Sequence, residues 1–246
     1  MPLSVATSSI RQHQHPLVRQ LAEGIEACWQ QLELSPCYLP EDLGYVEGKL
    51  EGEKLVIENR CYQTPQFRKM HLELAKIGKN LDILHCVMFP RPEYELPIFG
   101  CDIVSGRGQI SAAIVDLSAA TATGNLTAEY NSQLSNLAQT SYSQPRDLPE
   151  WGKRIFSEFC CFVKPTSLAE EQQFLVQTKA YLSIHVQRAL SKMPTPERRT
   201  DLLDRQRYYC RQQQKNDKTR RVLEKAFDPQ WAERYMTTVL FDLPEA

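Results

Sequence analysis

The alternation of apolar and polar residues changes period along the chain, and the changes mark out its elements. Leu17, Leu21, Ile25, Cys28 and Leu32 recur at spacings of three and four, which predicts an amphipathic helix over 17–32. From Gly44 to Leu117 the period is two. Strands are expected at about 44–50, 54–62, 67–77, 81–89, 98–104 and 109–117. Turn residues separate them at Glu51-Gly52-Glu53, Gly78-Lys79-Asn80 and Gly106-Arg107-Gly108. Connections this short favour antiparallel hairpins, hence a meander. Helical spacing returns around Tyr130, Leu134 and Leu137, then over 168–191, 197–226 and 229–240, with a further strand at 159–163.

Several strands are apolar on both faces, so the sheet must be covered on both sides. The helices before residue 35 and after residue 126 are the available cover. The expected fold is therefore α/β, a three-layer α/β/α sandwich with a central antiparallel sheet. Residues 1–246 form a single domain without internal repeats, and residues 1–15 are expected to be a flexible N-terminal segment.

Against this pattern, four titratable residues stand out. His85 interrupts Ile83–Phe89, Asp102 interrupts Ile98–Val104, and His71 and Glu73 alternate with Met70, Leu72 and Leu74. An ionisable side chain in an apolar strand is costly unless it is paired. His71 and Glu73 share a face about 7 Å apart, because the strand period is two. The plainer reading puts Met70, Leu72 and Leu74 in the core and leaves His71 and Glu73 facing water. A buried His85 could likewise be satisfied by a backbone carbonyl. If the meander brings the four together, a coupled Asp102–His85 pair can deliver protons near neutral pH, and Glu73 adds a second acid. Which faces coincide depends on register, and the sequence leaves that open.

Composition narrows the class. The chain is 42% hydrophobic and 24% charged, as in an ordinary globular protein. No apolar run approaches the ~20 residues that span a bilayer, and the polar N-terminus lacks the apolar core of a signal peptide. A cytosolic location and no membrane contact are expected. A net charge of −1 argues against nucleic-acid binding. The eight cysteines form no C-x-x-C pair and are expected to be reduced, structural thiols. The sequence carries no G-x-G-x-x-G opening a helix, no P-loop and no G-x-S-x-G. A metal held by His71, His85, Glu73 and Asp102 would lack the short-range ligand motifs that anchor such sites, and none is expected.

From Arg205 to Lys225 there are eight basic residues and two acidic ones, and no apolar side chain between Arg211 and Arg221. Such a stretch is either a solvated helix or a cationic rim for carboxylates or an acidic partner. Arg146, in a proline-flanked loop near Trp151, could add a second anion clamp.

These residues lie in stretches that resemble the ferredoxin-dependent bilin reductases. The resemblance rests on Leu39–Gly48, Glu58–Ala75, Leu84–Pro90, Phe99–Asp102, Gln212–Phe227 and Trp231–Met236, and it extends from about residue 39 to 242. It implies an α/β/α sandwich holding biliverdin IXα between the sheet and the C-terminal helices. It also implies single electrons from reduced ferredoxin, bilin radicals, and no flavin, nicotinamide or metal bound to a monomeric protein. Residue by residue, Asp102 matches the aspartate that protonates the bilin, His85 its hydrogen-bonded histidine, and Glu73 the glutamate at the D-ring vinyl group. His71 resembles a proton-relay position, Asn216 and Val222 belong to the hydrogen-bonding shell, and Arg146 and Lys218 match the propionate-binding cations. Glu73 together with His85 resembles the branch that forms phycocyanobilin by four-electron reduction, D-ring exovinyl group first and A-ring endovinyl side second. A bilin reductase of other regiospecificity, a non-catalytic tetrapyrrole carrier and a protein-interaction module built on the basic stretch are the competing readings.

Overall fold

The chain enters its sheet through a two-residue strand, β1 (Ser35–Pro36), and then runs back and forth through six longer ones. These are β2 (Tyr45–Leu50), β3 (Glu53–Gln63), β4 (Phe67–Ile77), β5 (Leu81–Pro90), β6 (Ile98–Gly106) and β7 (Gln109–Ser118). A short β8 (Cys161–Val163) completes the far edge. The computed structural model describes residues 10–119, 124–137 and 140–245. All neighbouring strands are antiparallel, in the order β1-β3-β4-β5-β6-β7-β8, with β2 sharing the outer edge of β3 with β1. The six meander strands thus form where the period-two pattern places them. Glu51-Gly52 (φ 52° and 86°) and Arg107-Gly108 (φ 53° and 74°) make two-residue hairpin connections. Positive φ at both central residues matches the right-handed twist of the flanking strands, and the glycines take it without strain.

Strand parity divides the core in two. Met70, Leu72 and Leu74 of β4, Leu84, Cys86 and Met88 of β5, and Phe99, Cys101 and Ile103 of β6 face one side. They pack against α1 (Pro16–Trp29), α3 (Ala128–Ser135) and α4 (Leu168–Ser191). Ala75 and Ile77, Val87 and Phe89, and Ile98 face the other side. Their cover is α2 (Glu41–Gly44), α5 (Arg199–Gln213), α6 (Asp217–Ala226) and α7 (Pro229–Tyr235). The result is the expected three-layer sandwich.

Three sequence-based boundaries shift. The single helix expected over 197–226 is two, because the Asn216 side chain accepts from Lys218 N–H at 3.2 Å and caps a new start. With no apolar residue between Arg211 and Arg221, no continuous buried stripe holds one helix together. The helix expected over 229–240 ends as α7 and continues as one π turn, Met236–Leu240, closed by Phe241 N–H donating to Met236 O at 2.9 Å. Of the segment expected to be flexible, residues 1–9 lie outside the described residues. From Ile10 the chain packs: Gln14 donates to Ala75 O at 3.0 Å, and His15 N–H to Asp82 at 2.8 Å.

α4 also carries a buried histidine the sequence did not single out. His185 lies against Phe67 and Phe99, and its Nδ1 is 2.9 Å from the Tyr130 hydroxyl. Burial pushes its pKa down to about 3. Unfolded, the group takes up a proton near its ordinary value of 6.5, so the stability of its neutral folded form is full above that pH. That stability is lost as pH falls from about 6.5 toward 3, at about 1.4 kcal/mol per pH unit. A His185→Phe chain should lose this component of the slope in urea unfolding measured against pH. The native imidazole should hold its neutral NMR shift down to pH 5, and a protonation midpoint above that would contradict the assignment.

Candidate active site

Antiparallel register sets four polar side chains in one row. Asn59 of β3 stands opposite Glu73 of β4, Glu73 opposite His85 of β5, and His85 opposite Asp102 of β6. Side chains directly opposite one another share a face at about 5 Å, so four consecutive strands build a continuous rung. His71, two residues from Glu73, lies on the same face. All of them project toward the layer of C-terminal helices. The structure therefore decides against His71 and Glu73 facing water; both are buried.

His85 Nδ1 is 2.6 Å from Asp102 Oδ1. Burial works against the charged imidazole, but the Asp102 charge and hydrogen bond, with Glu73 adding to them, raise the His85 pKa above its ordinary value. His71 is driven the opposite way. Burial, then the positive charges of Lys69 and His85, push it well below the usual histidine range. Burial raises Glu73, opposed by His85 and by a hydrogen bond from Tyr235. Asp102 departs from the expectation of a buried carboxyl: its side chain is 45% exposed. The desolvation that the sequence pattern pointed to falls on Glu73 and the two histidines instead.

Two residues absent from the sequence-based set hold this row in place. Asn59 donates from Nδ2 to Leu43 O at 2.7 Å, which fixes the amide and turns Oδ1 toward the site. Oδ1 lies 2.9 Å from His71 Nε2 and 3.0 Å from the Tyr235 hydroxyl, which is also 2.6 Å from Glu73 Oε2. An amide oxygen only accepts, so the proton of neutral His71 sits on Nε2 and its Nδ1 is a bare acceptor. Among the described residues neither His71 Nδ1 nor His85 Nε2 has a hydrogen-bond partner, and the two rings are 5.9 Å apart. A protonated His85 thus carries an unused donor at Nε2, and neutral His71 an unused acceptor at Nδ1. Asn59 could have been suspected, since asparagine is depleted in strands. Tyr235 could not, because an aromatic in an amphipathic helix reads as core.

The C-terminal segment is riveted over the same face. Buried Lys69 donates to Val239 O at 2.8 Å and pairs with Asp242, which Arg68 also holds at 2.5 Å. Burial pushes the Asp242 carboxyl up, but Lys69 and Arg68 outweigh it and bring it below the usual carboxylate value. This places the Phe241 ring edge-on to His85 at 5.6 Å.

The other sequence-predicted residues lie further out. Arg146 is exposed, stacked over Phe162 at 5.2 Å, and bonds to Ser111 O. Phe162 pairs with Ile114 and Ile114 with Asp102, so Arg146 marks the far end of the same row. Asn216, Lys218 and Val222 belong to the start and middle of the α6 region, which packs over β2. None of these four hydrogen-bonds to the row among the described residues. The basic stretch is partly neutralised by its own ion pairs, Arg207–Asp204, Arg220–Glu233, Arg221–Asp217 and Lys225–Glu51. Arg205, Arg211, Lys215 and Lys218 have no carboxylate partner among the described residues. Among those residues no three His, Cys, Asp or Glu side chains converge to hold a metal ion.

The chain matches the family described as ferredoxin-dependent bilin reductase over residues 22–242. It is 60% identical over 233 residues to phycocyanobilin:ferredoxin oxidoreductase from Trichodesmium erythraeum, covering 94% of this chain and 95% of that protein. The protein of the same name from Synechococcus elongatus is 56% identical over 239 residues, covering 96% of each. Among solved structures, phytochromobilin synthase from tomato in complex with biliverdin matches with a TM-score of 0.76 and 15% identity, covering 92% of this chain and 84% of that one. At that identity the likeness establishes the fold. The chain belongs to the ferredoxin-dependent bilin reductases. It is an oxidoreductase that reduces a bilin with electrons from ferredoxin, which sets aside the carrier and interaction-module readings.

Tyr235 donates to Glu73 and so holds its pKa down against burial. In a Tyr235→Phe chain the Glu73 carboxyl should keep its proton to higher pH. The carbonyl stretch of protonated Glu73, identified by its loss in Glu73→Gln, reports this directly in the infrared. An unchanged titration would remove Tyr235 from control of that acid.

Proposed function

We propose that the chain reduces biliverdin IXα to phycocyanobilin in two two-electron stages, first at the D-ring exovinyl group and then at the A-ring endovinyl side. Four electrons and four protons are consumed in total. Ferredoxin delivers the electrons singly, so each stage passes through a bilin radical, and the protein supplies the protons. No flavin, nicotinamide or metal takes part; the sequence carries no motif for a nucleotide cofactor.

The observation that carries this reading is the pair of separate acids on one sheet face. His85 and Asp102, 2.6 Å apart, form one proton source, partly open to the space above the sheet. Asp102 is assigned to protonate the bilin and contact its pyrrole nitrogens or lactams, with His85 as the proton store behind it. Glu73, with its pKa raised by burial, is assigned to the D-ring vinyl group. His71 is the relay, with its bare Nδ1 as the hydrogen-bond acceptor beside His85. Arg146 and Lys218 take the propionates, and Asn216 and Val222 complete the shell around the bilin. Biliverdin in the complex of the tomato relative, and the name shared by the relatives at 56% and 60% identity, support the choice of substrate and product. The proton-bearing row is complete within one chain, which supports a monomer. We place the protein in the cytosol, and no helix among the described residues is long and apolar enough to cross a membrane.

Biliverdin incubated anaerobically with this protein, ferredoxin and a reducing system should yield phycocyanobilin. A product reduced only at the A ring or at a meso position would overturn the assignment. Glu73→Gln should slow D-ring vinyl reduction by about 100-fold or more, the usual contribution of a positioned general acid. Full turnover by that variant would take Glu73 out of the role.

The cations of the basic stretch without carboxylate partners among the described residues and without a propionate role, Arg205, Arg211 and Lys215, are proposed to steer acidic ferredoxin. Its KM should then rise steeply with ionic strength. A salt-independent KM would argue against the patch.

A further inference from the structure

Cys37 follows β1 directly, and β1 pairs with the outer end of β3, Ser35 opposite Gln63 and Pro36 opposite Tyr62. The same register puts Cys37 opposite Cys61, and Cys37 N–H donates to Cys61 O at 3.1 Å. Opposed residues of an antiparallel pair share a face, which sets the two thiols side by side. Both are half-buried, so a reagent can reach them. Cys61 in turn stands opposite His71 across β3 and β4, at the margin of the proton-bearing row.

Their surroundings favour one thiolate. The neighbouring Cys61 side chain first, and then Lys69 and Arg68, pull Cys37 down to about 7 against burial and the Asp242 charge. The same contact and burial push Cys61 up. The remaining six cysteines are all pushed up, chiefly by burial. Cys86 and Cys101 make the instructive contrast. They too are directly opposed, on β5 and β6, but they lie in the dry core between the sheet and α1 and α4. A cross-strand thiol pair is therefore not reactive by position alone; partial exposure and neighbouring cations distinguish Cys37 and Cys61.

We propose that Cys37 and Cys61 form a thiol–disulfide exchange site, which a small-molecule disulfide of the glutathione type converts to a reversible cross-strand disulfide. The Cys37 thiolate attacks one sulfur of the oxidised glutathione and expels a glutathione thiolate, leaving a mixed disulfide on Cys37. Cys61 loses its proton, attacks the Cys37 sulfur and releases the second glutathione thiolate. Two protein thiols are oxidised, and one disulfide is reduced to two thiols. The bond closes the start of the 37–43 segment onto β3. The other end of that segment is already tied there by Leu43 O, which accepts from Asn59, so the disulfide fastens both ends beside His71 and Asn59.

The full-length chain is incubated with oxidised glutathione, its remaining thiols are blocked, and it is digested without reduction for mass spectrometry. A peptide linking Cys37 to Cys61 is expected, with two glutathione equivalents released and the link reversed by dithiothreitol. Cys61→Ser should stop at the mixed disulfide, with one glutathione on Cys37, and Cys37→Ser should leave Cys61 unmodified. With its pKa brought down and the other seven cysteines pushed up, Cys37 should be alkylated at neutral pH faster than any of them. Absence of the linked peptide from the wild-type chain overturns the proposal. So does a Cys61→Ser chain that carries no glutathione on Cys37, or a Cys86–Cys101 link formed equally fast.

Discussion

The hydrogen bond between His85 and Asp102 exists only because β5 and β6 meet in one register. A slip of one residue would turn one of the two side chains to the opposite face and leave a charge alone in a hydrophobic core. The rest of the structure guards that register. β4, β5 and β6 bury apolar side chains on both faces, so a slipped pairing would displace two cores at once. The hairpins at Glu51-Gly52 and Arg107-Gly108 hold flanking pairings with backbone angles that leave little freedom. The site is thus a consequence of sheet geometry before it is a matter of chemistry.

Within that frame, two histidines with rings 5.9 Å apart have their pKa values driven in opposite directions. His85, with a carboxylate against Nδ1, is shifted up against its burial; His71, with an amide oxygen against Nε2, is shifted down by burial and then by Lys69. Divergent environments for like groups are how one site comes to hold both a proton donor and a proton acceptor at one pH. Lys69, which adds to burial in lowering His71, is itself tolerated only because Asp242 and two backbone carbonyls satisfy it. The tail that covers the site and the charge that tunes His71 are therefore one arrangement. Asp116, on the next rung of the same face, shows the contrasting solution. Burial lifts it to about 6, and Ser118 and Ser157 hold it, anchoring the 157 loop to β7.

The chain by itself determined a good deal. Period-two alternation located the six meander strands, because a half-buried strand writes its faces into consecutive residues. The same alternation exposed His85 and Asp102 as costly exceptions, and the motif stretches around them placed the chain in its family. Tertiary structure decided what local pattern cannot carry. The face on which His71 and Glu73 stand depended on which neighbours each strand found. Tyr235 reaches Glu73 across 162 residues, and Asn59 across 176. A helical tyrosine has the same periodicity whether it fills a core or holds a proton. Its role exists only once α7 is laid across the sheet, because a hydrogen bond depends on distance and direction in space, and sequence spacing sets neither between remote segments.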